Sequence, residues 1–570
     1  MKLRRRMIAT LMAVAMVATT LVGCGSNSAA TTEPATEETT ETAEAETETE
    51  STGEIKEFTA FHAVPGTELA DDNRIMMEVA NRIGAYAKET WLTGQTAEEA
   101  VGTLIAGGEY PDFIAGSTGT PQLIDAGALV PLDEYWDDYP NIKNYLTESE
   151  WNRVRSEDGH VYIMPQFGII NDHDVQPIHW DEAWWIQLRV LKWAGYPEIV
   201  TMDDYFKVIE DYIAANPTME DGTPNIGYEI LCDDWRYFCL ENAPFFLDGH
   251  PNNGSCIVDP VTLKVTDYNT TPTAKKYFAK LNEEYQKGIV DPETFTMNYD
   301  QYIAKLSTGR VCGMIDQYWN FQPSELSIKQ QGYEDCVYVP VGVVAEEGIV
   351  ERYHSSSALD VSNGLAITVS CDDVEGALKY INDLLSQEIQ TLVNWGIEGE
   401  DYTVGEDGLY VRTQQNRDDQ ENPDWKISNW CDYAYFPHYE GMNLDGVNAY
   451  SPAYQPSEYF ANLTPEMQEC LEAYGVQTQV QLLNESGENE PYYPMWSYSN
   501  TWTADTEYGI AKVNMDEVKH AELPKVVMAD DFDSAWDSYL ATYNERVDID
   551  SYIKALEEEV ARRVAVAAGE

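Results

Sequence analysis

From Ile55 onward, short apolar runs that read as strands alternate with stretches of helical periodicity, and this alternation restricts the chain to an α/β architecture. Residues 58–62 read as a first strand, followed by a Pro65-Gly66 turn. Residues 73–88 place Ile75, Met76, Val79 and Ile83 on one stripe, which predicts a helix. A second helix is expected over 96–106, stopped by Gly107-Gly108. Residues 112–116 and 161–164 read as strands, the first running into a Ser/Thr/Gly loop. Thr201-x-x-Asp204 has the form of a capping box before a helix burying Tyr205, Val208, Ile209, Tyr212 and Ile213. A strand over 226–230 comes next, and Thr271-Pro272 opens a helix with proline at its first position. Residues 299–308 predict a helix closed by Gly309 and feeding a strand over 311–315. A strand over 364–369, a helix over 374–385 and a long final helix from about 551 to 566 complete the pattern, with no internal repeat.

The residues before Ile55 have a different composition. Lys2, Arg4, Arg5 and Arg6 form a positive n-region, and residues 7–22 are an apolar run broken only by small residues, as in an export signal. The run is too short for a comfortable membrane span and is followed by an acidic tail. Leu21-Val22-Gly23-Cys24 resembles a bacterial lipobox. That resemblance implies removal of residues 1–23 and a lipid on the Cys24 sulfur and new amino terminus, holding the chain at the extracellular face of the membrane. Each buried methylene of such a lipid adds about 0.8 kcal/mol. Residues 26–53 are almost entirely Thr, Glu, Ala and Ser, with no aromatic or basic side chain. They cannot offset their ordering entropy, so residues 24–54 are expected to form a lipidated, disordered acidic tether extended by its own charge.

The formal net charge of −64 excludes nucleic acid as a partner, because that binding needs clustered Lys and Arg. It also disfavours a strongly anionic ligand and leaves a neutral one as the easier fit. Of nine cysteines, Cys24 is assigned to the lipid, and the other eight show no Cys-x-x-Cys or zinc-type spacing. No metal and no bridge is inferred, and pairing of Cys232 with Cys239 stays open. Cys312 and Cys371 read as small buried hydrophobes.

Several segments, in order, resemble bacterial extracellular solute-binding proteins of the carbohydrate ABC-importer class, relatives of maltose-binding protein, in their Gram-positive lipoprotein branch. Gly107-Gly108-Glu109-Tyr110-Pro111-Asp112-Phe113 is similar to that family's passage from a helix through Pro-Asp into an apolar strand. Residues 127–135 (GALVPLDEY) with Pro140-Asn141-Ile142, Asp158-Gly159-His160-Val161-Tyr162 with Pro165-Gln166, and the Trp185 to Tyr212 stretch resemble further family passages. So do Leu306-x-x-Gly309-Arg310-Val311 through Trp319, and Asn394-Trp395-Gly396-Ile397-Glu398-Gly399 with Tyr402. The resemblance covers nearly all of the exported part but does not specify a ligand. It implies a two-lobed periplasmic-binding-protein-like fold with hinge strands and a central cleft. The N-lobe is expected at 55–165 with 350–394, and the C-lobe at 166–349 with 395–570. It also implies a monomer that captures a sugar and passes it to ABC importer permease subunits, meets the membrane through its N-terminal lipid only, and needs no cofactor.

Sugars present flat aliphatic faces rimmed by hydroxyls, so aromatic plates with carboxylates, amides and Arg are the side chains that suit them. In open α/β sheets ligands sit beyond the carboxyl ends of strands. Trp319, with Tyr318 and Asn320, follows the 311–315 strand, and the family resemblance places a tryptophan there under the sugar. His62 ends the first strand, and Ser117 and Thr118 follow another. Asp234, Trp235 and Arg236 follow the 226–230 strand and combine a plate, an acceptor and a fork donor in one loop. Gln166, with Phe167 beside it, lies at the expected hinge, and Trp496 and Trp502 lie in an aromatic-rich stretch able to cover a cleft. The alternative readings are a peptide or other solute as ligand, or a secreted glycoside-active enzyme. Adjacent acids such as Asp203-Asp204, Asp372-Asp373 and Asp530-Asp531 are the only hint of the latter, and most sit where a helix start favours carboxylates. No nucleophile-elbow, zinc-protease, phosphate-loop or EF-hand motif is present.

Overall fold

In the computed structural model, which describes residues 55–485, 487 and 489–569, two separate apolar cores organise the chain. The export signal, Cys24 and the tether lie outside the described residues, as does the side chain of Asp234. The first core takes residues from Phe58 to Ile169, from Leu359 to Val393 and from Trp430 to Phe436. The second takes residues from Ala183 to Tyr353 and from Met467 to Val560. The chain therefore has two α/β lobes and passes between them three times.

The first lobe is built on a four-stranded sheet in the order Leu365–Ile367, Phe113–Ala115, Lys56–His62, Ala85–Trp91. The last three are parallel, and Leu365–Ile367 is antiparallel to its neighbour. The helix Arg74–Ile83 starts at Asn73, whose side chain accepts from the Met76 amide, and ends at Gly84, a left-handed cap with φ 77°. The helix expected to run to residue 88 stops there. Ala85 to Trp91 instead pair residue for residue with Lys56 to His62, so strand pairing and the burial of Ala85 and Ala87 override the helical stripe. Thr96 and Glu99 close a capping box at the helix Ala97–Gly107, as the spacing implies. The strand expected over 161–164 is reduced to one bridge between Met164 and Leu365, because the chain leaves the sheet there for the other lobe.

The second lobe has the sheet order Tyr338–Val341, Glu182–Gln187, Val311–Gln317, Ile226–Glu229. Glu182–Gln187 is antiparallel to both neighbours, while Ile226–Glu229 is parallel to Val311–Gln317. Trp184 and Trp185, successive residues of Glu182–Gln187, are fully buried on its two faces. Thr201 caps the helix Met202–Ala215 with Asp204, and Pro272 stands at the start of Pro272–Lys287, both as read from sequence. All eight described cysteines are unpaired and buried, so the Cys232–Cys239 bridge left open above does not form. The lobe limits differ from expectation by a few residues at Ile169 and Tyr353 and more widely after 394. Trp430, Cys431, Tyr433 and Phe436 belong to the first core although the chain after 394 is expected in the C-lobe. Asn73 holds this return by donating to the carbonyls of Lys426, Ile427 and Trp430.

The three crossing segments pack against one another. Ile170–Asn171 pairs in parallel with Glu440–Gly441. Gly168, with φ +79°, lies so close to the next crossing that a Cβ there would stand 2.5 Å from the Ala358 carbonyl oxygen. Asp174 and His354 meet across two crossings at 3.4 Å, both side chains buried. Burial, and then the Asp174 charge, push the Glu440 carboxyl up to about 7. A carboxyl raised on folding costs stability once the unfolded chain ionises it, from its unfolded pKa of about 4.3 upward. Wild-type stability relative to Glu440→Gln should therefore fall as pH rises from about 4.3 to 7 and level off above, as read by urea denaturation across that range. A stability difference that stays flat with pH would show that Glu440 does not titrate this way.

Candidate functional site

A cavity of about 820 Å³ opens at the carboxyl ends of Val311–Gln317 and Ile226–Glu229, where the second-lobe sheet meets the crossing segments. Four tryptophans are among its lining residues. Trp235 is 56% exposed and Trp319 41% exposed, and Trp180 and Trp496 also stand partly in water within the cavity. Leaving such rings unburied forgoes roughly 2 kcal/mol each of hydrophobic stabilisation. Trp235 and Trp319 lie with centroids 5.8 Å apart and planes 12° from parallel. They are held from behind. Arg236 sits between the Trp235 ring at 4.5 Å and the Tyr299 ring at 4.1 Å, and its Nε donates to Asn320 Oδ1 at 3.1 Å. Asn320 in turn donates to the buried Asp316 carboxyl at 2.9 and 3.1 Å. Burial pushes Asp316 up to about 6, while donors from Tyr302, Asn320 and the Gln317 amide hold it down. Trp180 packs edge-on against Tyr318 at 5.1 Å. Trp496 is fixed by its amide, which donates to the Asn253 carbonyl, and by Gly254 beneath its side chain.

The facing wall is polar and balanced in charge. Lys519, on the helix Glu507–Met528, donates to Glu241 Oε2 at 2.6 Å and lies 3.5 Å from Asp516 Oδ1. Burial opposes the Lys519 charge, but Glu241 and Asp516 outweigh it and hold its pKa above the usual lysine value. Lys512 pairs with Asp516 at 2.8 Å, and His520 stacks on Tyr237 at 3.6 Å, its Nε2 3.3 Å from Glu241 Oε1. Toward the crossing segments, Asn252 donates to Asp181 Oδ1 at 3.0 Å. Burial raises both Asp181 and the adjacent Glu182, and it lowers His179 to about 3, so that imidazole is neutral. The wall thus offers amides and paired charges and no uncompensated cation.

Of the residues nominated from sequence, the structure brings Trp235, Trp319 and Trp496 to this cavity. Arg236 and Asn320 stand behind the plates rather than among the lining residues, and Tyr318 is buried against Trp180 and donates to Glu325 at 3.1 Å. Trp502 packs on Tyr508 and Tyr552, and is absent from the lining, because the short helix Trp496–Ser499 turns it toward the second core. His62, Gln166, Ser117 and Thr118 are on the first-lobe side. His62 is fully buried, with Nε2 2.8 Å from Glu89 Oε1 and its ring against Trp91 and Tyr435. Gln166 is buried and donates to the Tyr435 carbonyl. Ser117, at φ 50°, donates its amide to Asn363 Oδ1, and Thr118 bonds Glu98. Sequence reasoning missed Trp180, Asp181, Asn252, Glu241, His354 and the Lys519 network. One signal was available for the last: Lys512, Asp516, Lys519 and His520 fall at spacings of one helix face.

Two α/β lobes joined by three packed crossings, with an aromatic-plated cavity beside them, set the class of fold to which the chain belongs. The family model for bacterial extracellular solute-binding proteins matches residues 92–395, more than half of the chain, and the chain belongs to that family. It is 23% identical over 311 residues to the fructooligosaccharide ABC transporter substrate-binding protein FusA of Streptococcus pneumoniae serotype 4. That match covers 52% of this chain and only about half, 55%, of the relative. Among solved structures, an HMO-binding ABC-transporter-associated solute-binding protein from Bifidobacterium longum infantis superposes with a TM-score of 0.53 at 13% identity, covering 89% of this chain and 98% of that one. FusA in complex with kestose gives 0.52 at 16% identity, covering 90% and 100%. Such likeness shows the shared fold. No helix among the described residues is long and apolar enough to cross a membrane.

The Arg236 sandwich predicts a structural cost on substitution. Arg236→Ala removes two cation–π contacts and frees Trp235, at about 1–2 kcal/mol. The melting temperature of the unliganded protein should fall by about 2–6 °C. An unchanged melting temperature would show that Arg236 does not hold the plate.

Proposed function

We propose that this protein captures a neutral oligosaccharide in the plated cavity, by hinge closure, and delivers it to an ABC importer. The parallel, water-exposed Trp235–Trp319 pair carries this reading. Two offset-stacked indoles that leave ring surface in water, at a cost in exposed apolar area, suit the aliphatic face of a sugar ring. The balanced polar wall adds donors and acceptors for hydroxyls, and the cavity volume falls within the range of small-molecule sites. The ligands of the relatives, fructooligosaccharides and HMO, agree with this class of ligand.

Closure follows from where the cavity lies. Residues 176–181 and 354–358 belong to crossing segments and line it, so a ligand held there touches the hinge itself. A closed state is favoured to the extent that it adds contacts from the first lobe that the open state lacks. Cys24 would carry the lipid that keeps the protein at the outer face of the membrane, with residues 26–53 as its tether. The chain acts as a binder rather than an enzyme. The cavity acids Glu241 and Asp516 are both engaged by Lys519, and Asp181 by Asn252, so none stands as a free acid/base pair. The acidic pairs noted in the sequence are absent from its lining.

A thermal-shift panel of fructooligosaccharides such as kestose, N-glycan fragments and peptides tests the ligand class. A saturable rise with one saccharide group and no product is expected, and Trp319→Ala should weaken that binding more than tenfold, about 1.4 kcal/mol, in a folded protein. A shift with peptides alone would replace the ligand class. Full affinity in Trp319→Ala would remove the plate from the site.

A further inference from the structure

The indoles give a ring a face to lie on, but at the hinge end of the cavity two buried polar atoms have no partner among the described residues. They are Asn252 Oδ1 and His354 Nδ1. Both residues line the cavity, at 5% and 8% exposure. The other polar atom of each lies against an acid. Asn252 Nδ2 donates to Asp181 Oδ1 at 3.0 Å, and His354 Nε2 faces Asp174 Oδ2 at 3.4 Å from the neighbouring crossing segment. Asp181 also lines the cavity and takes the Glu182 amide at 2.8 Å, so one acid is shared between wall and backbone. Buried polar atoms are ordinarily paired, and an unpaired one costs the fold free energy unless something else supplies the bond.

The chemistry of these atoms selects what would fill them. Asn252 Oδ1 is an acceptor only, so its partner must donate. His354 Nδ1 donates or accepts according to tautomer, and Asp181 accepts when ionised. A pair of adjacent hydroxyls meets all of this, since each hydroxyl donates once and accepts twice. A carboxylate or phosphate has no proton for Asn252 Oδ1 and would face the Asp181 carboxyl. A hydrocarbon end group would leave both atoms unpaired.

We propose that Asn252, His354 and Asp181 form a hydroxyl-reading subsite for the terminal residue of the bound oligosaccharide, which is thereby held with one end at the hinge and its body along the tryptophan plates. The proposal rests on the carbohydrate reading and adds direction and end-group selection to it. A saccharide whose terminal residue lacks vicinal hydroxyls is discriminated against, as is the same chain bound in the opposite sense.

Isothermal titration of the whole protein against the tightest saccharide of the panel above, and against the same saccharide deoxygenated at its terminal residue, reads this directly. The wild type should bind the deoxygenated form at least tenfold more weakly. Asn252→Ala and His354→Ala should each weaken the parent saccharide by about tenfold and lose most of the discrimination between the two forms. Equal wild-type affinity for both forms overturns the subsite, and it does so whether or not the variants fold. Normal discrimination in both folded variants overturns it as well, while Trp319→Ala losing affinity would leave the carbohydrate reading in place. Failure of the wild type to bind any saccharide removes that reading and the subsite with it.

Discussion

Three passages of chain between two lobes have to occupy one small volume, and the rest of the molecule is arranged around how they do so. At Gly168 the first crossing lies directly on the Ala358 carbonyl, a separation that no side chain would permit. Two residues later, Ile170–Asn171 pairs with Glu440–Gly441, and the Asp360 amide reaches the Phe167 carbonyl at 3.3 Å. These ladders are only a few residues long, so a change of angle between the lobes distorts few hydrogen bonds. The Asp174–His354 contact is different in kind, because two buried groups that give up solvation recover it only in good mutual geometry.

The same volume explains why the cavity lies where it does. Strands ending at Gln317 and Glu229 leave their loops at the carboxyl edge of the second sheet, and the crossing segments wall off the side facing the first lobe. An exposed tryptophan on such a loop would fold back onto the nearest apolar surface unless something opposed it. Here the opposition runs from Trp235 through Arg236 and Asn320 to Asp316, a buried acid at the end of the central strand. The plate is thus set before any ligand arrives, and binding to a preset surface loses less conformational entropy than binding to a mobile one.

Local chemistry was legible in the sequence and tertiary return was not. The helix start at residue 96, the cap at Thr201, the proline start at Pro272 and the strand before Trp319 depend on neighbours within a few residues, and each reads directly. The strand Ala85–Trp91 does not, because only its seven-residue pairing with Lys56–His62 separates it from the helix before it. The return of Trp430 to Phe436 to the first core depends on Asn73, more than three hundred residues earlier. In the site, the rule that ligands lie past strand ends found Trp235 and Trp319, but it also nominated Arg236, Tyr318 and Asn320, which sit at the same strand ends and act as supports. Position along a strand shows which edge a residue occupies. Which side of the loop its side chain takes depends on packing the sequence does not state.

The cavity is a composite of two stretches of chain. The plates Trp180, Trp235 and Trp319 lie within residues 92–395, where the family likeness falls, whereas Asp516, Lys519, His520 and Tyr552 lie beyond it on C-terminal helices. The Lys519–Glu241 pair joins the two, buried at both ends, and losing either partner would strand a charge in the wall. The two parts do different physical work. An indole face accepts the apolar side of many sugar rings with little preference, while a buried hydrogen-bonding group rejects a ligand that leaves it unpaired. Selectivity for a ligand therefore depends heavily on the polar wall, part of which lies outside residues 92–395. It follows that a relative's ligand describes the frame of this site better than its selectivity.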